Sequence, residues 1–196
     1  NNRGNTLQDL RRYEEALASF DRALAVKRDD AHLHNNRGNT LRELKRLEEA
    51  LVSYDKAIAI TPGVAFLHNN RGDTLRELGR LEEALVSLDS ALALKPGYVE
   101  ALTNRGNTLR ELGRFQEALA SFDLALVSSP DDAVVHHNRG NALQDLQRYE
   151  EALSSFEKAL AIKSAFAGPL YGRGNALRKL KRFDEALASY EKALMI

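Results

Sequence analysis

Apolar residues recur along the chain at helical spacing in short blocks, and the blocks themselves recur. In residues 31–64 a first block sets His34, Gly38, Leu41 and Leu44 on one stripe; a second sets Ala50, Leu51, Tyr54, Ala57 and Ile58 on another. Steps of three and four residues are the period of a helix with one buried face. Lys45 stands between the two blocks, and its equivalents further on are Gly79 and Gly113. A glycine just past a helix end is a C-terminal stop. Glu48 and Glu49 then fall in the first turn of the next helix, where a carboxylate meets the positive end of the helix dipole. Pro62, Pro96 and Pro130 close the second helix, with Arg28 and Ser164 at the same place elsewhere. The chain therefore reads as helix pairs joined by tight turns.

The pair repeats without insertion. Gly4, Gly38, Gly72, Gly106, Gly140 and Gly174 are each 34 residues apart. With Ala31 as position 1, full copies span 31–64, 65–98, 99–132 and 133–166, between partial copies 1–30 and 167–196. A regular period of this length predicts an all-α solenoid of stacked helix pairs, one array over 1–196. Mid-helix glycine costs about 1 kcal/mol relative to alanine, so its repetition calls for a packing reason. Alanine at position 20 (Ala50 and equivalents) and position 27 (Ala57 and equivalents) supplies it: small residues let the two helices approach closely.

His34, Gly38, Leu41, Ala50, Tyr54, Ala57 and Pro62 resemble the tetratricopeptide-repeat pattern at positions 4, 8, 11, 20, 24, 27 and 32. Position 4 departs from it, carrying His or Leu where that family often has Trp, and position 7 is always Arg. The resemblance implies antiparallel helix pairs in a right-handed superhelix, whose first helices line a concave groove that binds peptides or protein segments.

Helical spacing places positions 2, 5, 6, 9, 12 and 13 opposite the apolar stripe of the first helix, on the expected groove face. Position 6 is Asn2, Asn36, Asn70, Asn104 and Asn138, then Gly172; position 9 is Asn5, Asn39, Asp73, Asn107, Asn141 and Asn175. Position 12 adds Arg42, Arg76, Arg110 and Arg178. Asn offers both a donor and an acceptor, so such a ladder suits the backbone of an extended peptide. A merely solvated face would favour better helix formers than Asn. The ladder resembles the superhelical repeats of O-GlcNAc transferases, which implies backbone-directed binding. A clamp for a terminal carboxylate would need cations at positions 2 and 5. Position 5 is instead Asn1, Asn35, Asn69, Thr103, His137 and Tyr171.

Composition narrows the class of partner. Lys plus Arg and Asp plus Glu both number 28, so the net charge is zero, a poor basis for bulk binding of nucleic acid or anionic membrane. Cysteine is absent, and no apolar run approaches the roughly 20 residues of a membrane span. His32 and His34, or His136 and His137, lack the spacing of three or four that helical metal ligands need. We therefore expect a cytoplasmic, non-catalytic scaffold without cofactor or metal that binds a protein or peptide segment. Entry at position 5 and exit at position 30 suggest a piece of a longer protein, and the rival reading is the substrate-recognition arm of an O-GlcNAc-type glycosyltransferase.

Three further expectations concern charge and the ends. Arg at position 7 (Arg3, Arg37, Arg71, Arg105, Arg139, Arg173) and acid at position 25 (Asp21, Asp55, Asp89, Asp123, Glu157, Glu191) predict a ladder of ion pairs between first and second helices. Residues 99–132 carry a net −3 and residues 167–196 a net +3, which should draw an acidic stretch of ligand toward the C-terminal copies. Leu194, Met195 and Ile196 leave an apolar end, so head-to-tail self-association is expected.

Overall fold

The computed structural model describes residues 2–196. Its backbone falls into two compact units, Asn1–Pro96 and Gly97–Ile196. The first holds α1 (Asn2–Asp9), α2 (Tyr13–Val26), α3 (Ala31–Glu43), α4 (Leu47–Ile60), α5 (Ala65–Glu77) and α6 (Leu81–Leu94). The second holds α7 (Val99–Glu111), α8 (Phe115–Ser128), α9 (Ala133–Asp145), α10 (Tyr149–Ile162), α11 (Ala167–Lys179) and α12 (Phe183–Leu194). No strand occurs among the described residues. Each odd-numbered helix packs against the even-numbered helix that follows it, so every repeat is one helix hairpin.

The glycines close these hairpins. A Cβ on Gly106 would lie 2.5 Å from Phe122 Cε1, and one on Gly140 would lie 2.5 Å from Phe156 Cε1; both rings are fully buried. Position 24 thus fills the room that position 8 leaves. Between repeats, Leu17 of α2 joins Leu41, Ala50 and Tyr54 in one core cluster, and Leu153 of α10 joins Leu177 and Ala186 in another. Within each unit, α2 and α10 are thus glued to the hairpin that follows them by apolar burial.

The turn inside each hairpin is the same in all six repeats. Position 15 adopts a left-handed backbone not only at Gly79 and Gly113 but also at Arg11, Lys45, Gln147 and Lys181, with φ from 56° to 74°. The sequence marks this turn only where glycine stands. Elsewhere it is imposed by closure, in which the Arg46 N–H donates to Leu41 O and the Lys45 N–H to Arg42 O, both at 2.9 Å. The next residue is always Arg, and its guanidinium forks onto the position 19 carboxylate, as in Arg46 to Glu49 at 2.7 and 2.8 Å. These forks hold Glu15, Glu49, Glu83, Glu117, Glu151 and Glu185 below the usual carboxylate range.

The position 7 ladder forms, and it runs back to the preceding repeat. Arg37 Nε meets Asp21 at 2.7 Å, Arg71 meets Asp55 at 2.7 Å, Arg139 meets Asp123 at 2.6 Å and Arg173 meets Glu157 at 3.5 Å. Nη1 of the same arginines donates to a serine of their own second helix, Ser53, Ser87, Ser155 and Ser189. One guanidinium thus fixes three helices in register. At the C-terminal end Leu194 and Met195 are 88% and 85% exposed, the apolar surface on which the self-association expectation rests.

Candidate functional site: the inner faces of the two units

Within each unit the first helices touch one another directly (α3 with α5, α7 with α9, α9 with α11), and the second helices make no comparable contact. Each unit therefore bends with its first helices on the inner side. That face carries the Asn ladder.

In the first unit the ladder is largely engaged with itself. Asn36 Nδ2 donates to Asn5 Oδ1 at 3.0 Å, and Asn70 Nδ2 donates to Asn35 Oδ1 at 2.9 Å and Asn39 Oδ1 at 3.4 Å. The Tyr54 hydroxyl reaches between the helices and donates to Asn39 Oδ1 at 2.7 Å. Burial pushes the Tyr54 phenol well above its ordinary pKa, so it remains a donor. Gln8 donates to Thr40 Oγ1 at 2.8 Å. Asp73 is held between Arg42 at 3.0 Å and Arg76 at 2.9 Å, and Arg42 also reaches Glu77 at 3.3 Å. Asn2 is exposed at the start of α1; Asn1 lies outside the described residues.

The second unit differs. Asn107 and Asn138 are half-buried, and their side chains make no hydrogen bond among the described residues. Position 24 explains part of this, because Asn107 belongs to the repeat of Phe122, which has no hydroxyl to offer, whereas Asn39 belongs to that of Tyr54. Gly172 stands where an amide would cross from α11 to α9, so Asn141 turns to His137 of its own helix, Nδ2 to Nε2 at 3.1 Å. Gln144 donates to Gly172 O at 2.8 Å. Asn104 is half-buried on α7, and Asn175 accepts from the Tyr190 hydroxyl at 2.8 Å. Arg110 is tied to Asp145 at 2.7 Å, whereas Arg178 is exposed and has no partner among the described residues.

Aromatic groups also collect here. His137 tilts against Phe156 and Phe166 at centroid distances of 5.8 and 5.4 Å, and Tyr171 against Tyr190 at 5.6 Å. Burial, with the Arg110 charge, holds His137 below its ordinary pKa. Tyr171, Asn175, Arg178 and Tyr190 line a cleft of about 680 Å³. The sequence reading passed over the position 24 hydroxyls and this aromatic run at position 5. The signal available was the change from Asn35 and Asn69 to His137 and Tyr171. His34, His68 and His136 each bond a carbonyl of the preceding turn, Arg28 O, Pro62 O and Pro130 O, all at 2.8 Å.

Tetratricopeptide-repeat family models match residues 1–65, 69–133 and 131–196. A search of curated protein sequences found no match. Among solved structures, the chain is similar to PilW, described as a widely conserved type IV pilus biogenesis factor: 23% identity, TM-score 0.88, covering 95% of this chain and 86% of that one. It is similar to YrrB, described as a repeat protein with an unusual peptide-binding site, at 24% identity and TM-score 0.71, covering 89% and 90%. MamA of Desulfovibrio magneticus RS-1 matches at 19% identity and TM-score 0.77, covering 84% and 93%. These likenesses are of fold. No helix of the described residues is long and apolar enough to cross a membrane.

Proposed function

Because the chain belongs to the tetratricopeptide-repeat family, whose members are scaffolds for protein or peptide partners, we propose that it holds an extended peptide along its inner faces, chiefly that of the second unit. The observation that carries this reading is the pair Asn107 and Asn138, polar groups on the groove face whose hydrogen-bonding capacity is not used internally. Each offers a donor and an acceptor to a peptide backbone. Arg178 and the neighbouring Lys179, both exposed, place positive charge at the end of α11, so the ligand carries its acidic residues toward that helix. The peptide-binding site named for YrrB lends the reading support by analogy only.

The chain itself is read as non-catalytic. Its recurring carboxylates are clamped by arginine, and three of its five histidines are bonded to carbonyls of the preceding turns. A recognition arm of a larger glycosyltransferase would use the same face and differ only in what is joined to it.

The test is to pan a library of unstructured 12-residue peptides on the whole chain and titrate an enriched peptide by calorimetry. Asn107→Ala with Asn138→Ala should weaken it about tenfold or more, from roughly 1 kcal/mol per lost hydrogen-bonding group. Unchanged affinity would remove the inner face of the second unit as the site.

A further inference from the structure

A second surface recurs in both units, along their second helices. Clefts of about 710, 600 and 520 Å³ open between successive second helices, α2 and α4, α8 and α10, α10 and α12. They are one cleft three times over. Position 28 gives the floor (Leu24, Leu126, Leu160), with position 30 of the next repeat beside it (Ile60, Ile162, Ile196). Position 7 gives the wall (Arg37, Arg139, Arg173), and position 26 gives a lysine at the rim (Lys56, Lys158, Lys192). Apolar surface is open to water here: Val52 in the first cleft is 53% exposed and Ile162 in the second 41%.

The polar groups have capacity to spare. Arg37 and Arg139 use Nε and Nη1 on their aspartate and serine, and their Nη2 makes no hydrogen bond among the described residues. The three lysines have no ion-pair partner there either. Lysine is not a fixed feature of position 26, which is Ser90 and Leu124 in the third and fourth repeats. It stands in the later of the two repeats that form each of these clefts. Acidic side chains also line the first two: Asp21, Asp29 and Glu49, the last already held by Arg46, then Asp123 and Asp131. That mixture suits a single carboxylate rather than a polyanion or an anionic lipid surface.

We propose that these outer clefts dock a partner helix that inserts a large aliphatic side chain between two second helices and sets a carboxylate one turn away against the position 26 lysine. A furrow between two like-directed helices accepts a third by ridges into grooves, and the charge at the rim selects which face it presents. This surface is independent of the inner face.

Three fluorescein-labelled, hydrocarbon-stapled 14-residue helices serve as probes: one with a Leu stripe flanked by Glu, one with the same stripe flanked by Lys, and one with Ser in place of Leu beside Glu. Fluorescence anisotropy with the whole chain should show binding of the Leu/Glu helix at least tenfold tighter than of the other two. Lys56→Glu, Lys158→Glu and Lys192→Glu together, all at exposed positions, should abolish that preference and favour the Leu/Lys helix. Asn107→Ala with Asn138→Ala should change neither, which separates this outcome from failure of the inner-face reading. Equal binding of Leu/Glu and Leu/Lys helices, no binding of either, or an affinity indifferent to the lysine substitutions would overturn the proposal.

Discussion

The two units are built on one positional code and spend it differently. In the first, the groove amides join neighbouring helices: Asn36 bonds Asn5, Asn70 bonds Asn35 and Asn39, and Tyr54 closes the set. In the second, Phe122 replaces the tyrosine, Gly172 replaces the last amide of the ladder, and Asn107 and Asn138 face the groove without internal partners. A repeated residue type therefore does not carry a repeated role. In the second repeat Tyr54, at position 24, engages the groove amide of Asn39, whereas in the fourth Phe122 offers Asn107 no hydroxyl.

The largest effect separates the units by stability. Asn36→Ala, Asn39→Ala and Asn70→Ala together remove the amide rungs that join these helices and the Asn39 acceptor of the Tyr54 hydroxyl. At about 1 kcal/mol per bond, offset by alanine's helix preference, the cost is roughly 2–3 kcal/mol. Asn107→Ala with Asn138→Ala should stay within about 0.5 kcal/mol. Urea denaturation of the two variants checks this, and equal losses would erase the distinction. The next effect runs the other way. The enriched peptide should lose about tenfold or more in affinity with the Asn107/Asn138 pair, whereas the Asn36/Asn70 pair should cost it less than threefold.

A smaller effect comes from exchanging the residue behind the groove. Phe122→Tyr brings a hydroxyl toward Asn107 and should convert that rung to the first unit's kind, lowering peptide affinity a few-fold. Tyr54→Phe should destabilise the fold by about 1 kcal/mol as Asn39 loses its donor. Titration of the first and denaturation of the second measure these. Smallest is a pH effect confined to the second unit. His137 binds a proton less readily folded than unfolded, so the unfolded chain protonates first as pH falls through about 6.5. Its contribution to stability is full above that value, declines below it, and levels off once pH lies under the folded pKa. His137→Gln should remove that decline from the denaturation midpoint between pH 7.5 and 5.5.

Much of the fold was legible because its determinants are local and recur. The stripe through Leu41 and Leu44, the stripe through Tyr54 and Ala57, and glycine paired with a ring at position 24 are stated by the sequence at a fixed period. The Arg37 to Asp21 ladder was legible for the same reason, since both residues appear in every repeat, although the direction back to the preceding repeat required the packing. The left-handed turns at Arg11, Lys45, Gln147 and Lys181 were not, because hydrogen-bond closure imposes them on residues with no preference for that backbone. The split fate of the asparagines was hidden as well. Asn39 accepts from a hydroxyl fifteen residues away on another helix, and Asn107 has only the Phe122 ring at that place, a difference that no reading of one helix face contains.

The claim that the Asn107 and Asn138 amides are held open for a peptide backbone can be tested on those amides directly. With ¹⁵N-labelled asparagine side chains assigned by substitution, the enriched peptide should shift the Nδ2 resonances of Asn107 and Asn138 while those of Asn36 and Asn70 stay in place. Shifts confined to Asn36 and Asn70, or no change at Asn107 and Asn138 at saturating peptide, would contradict it.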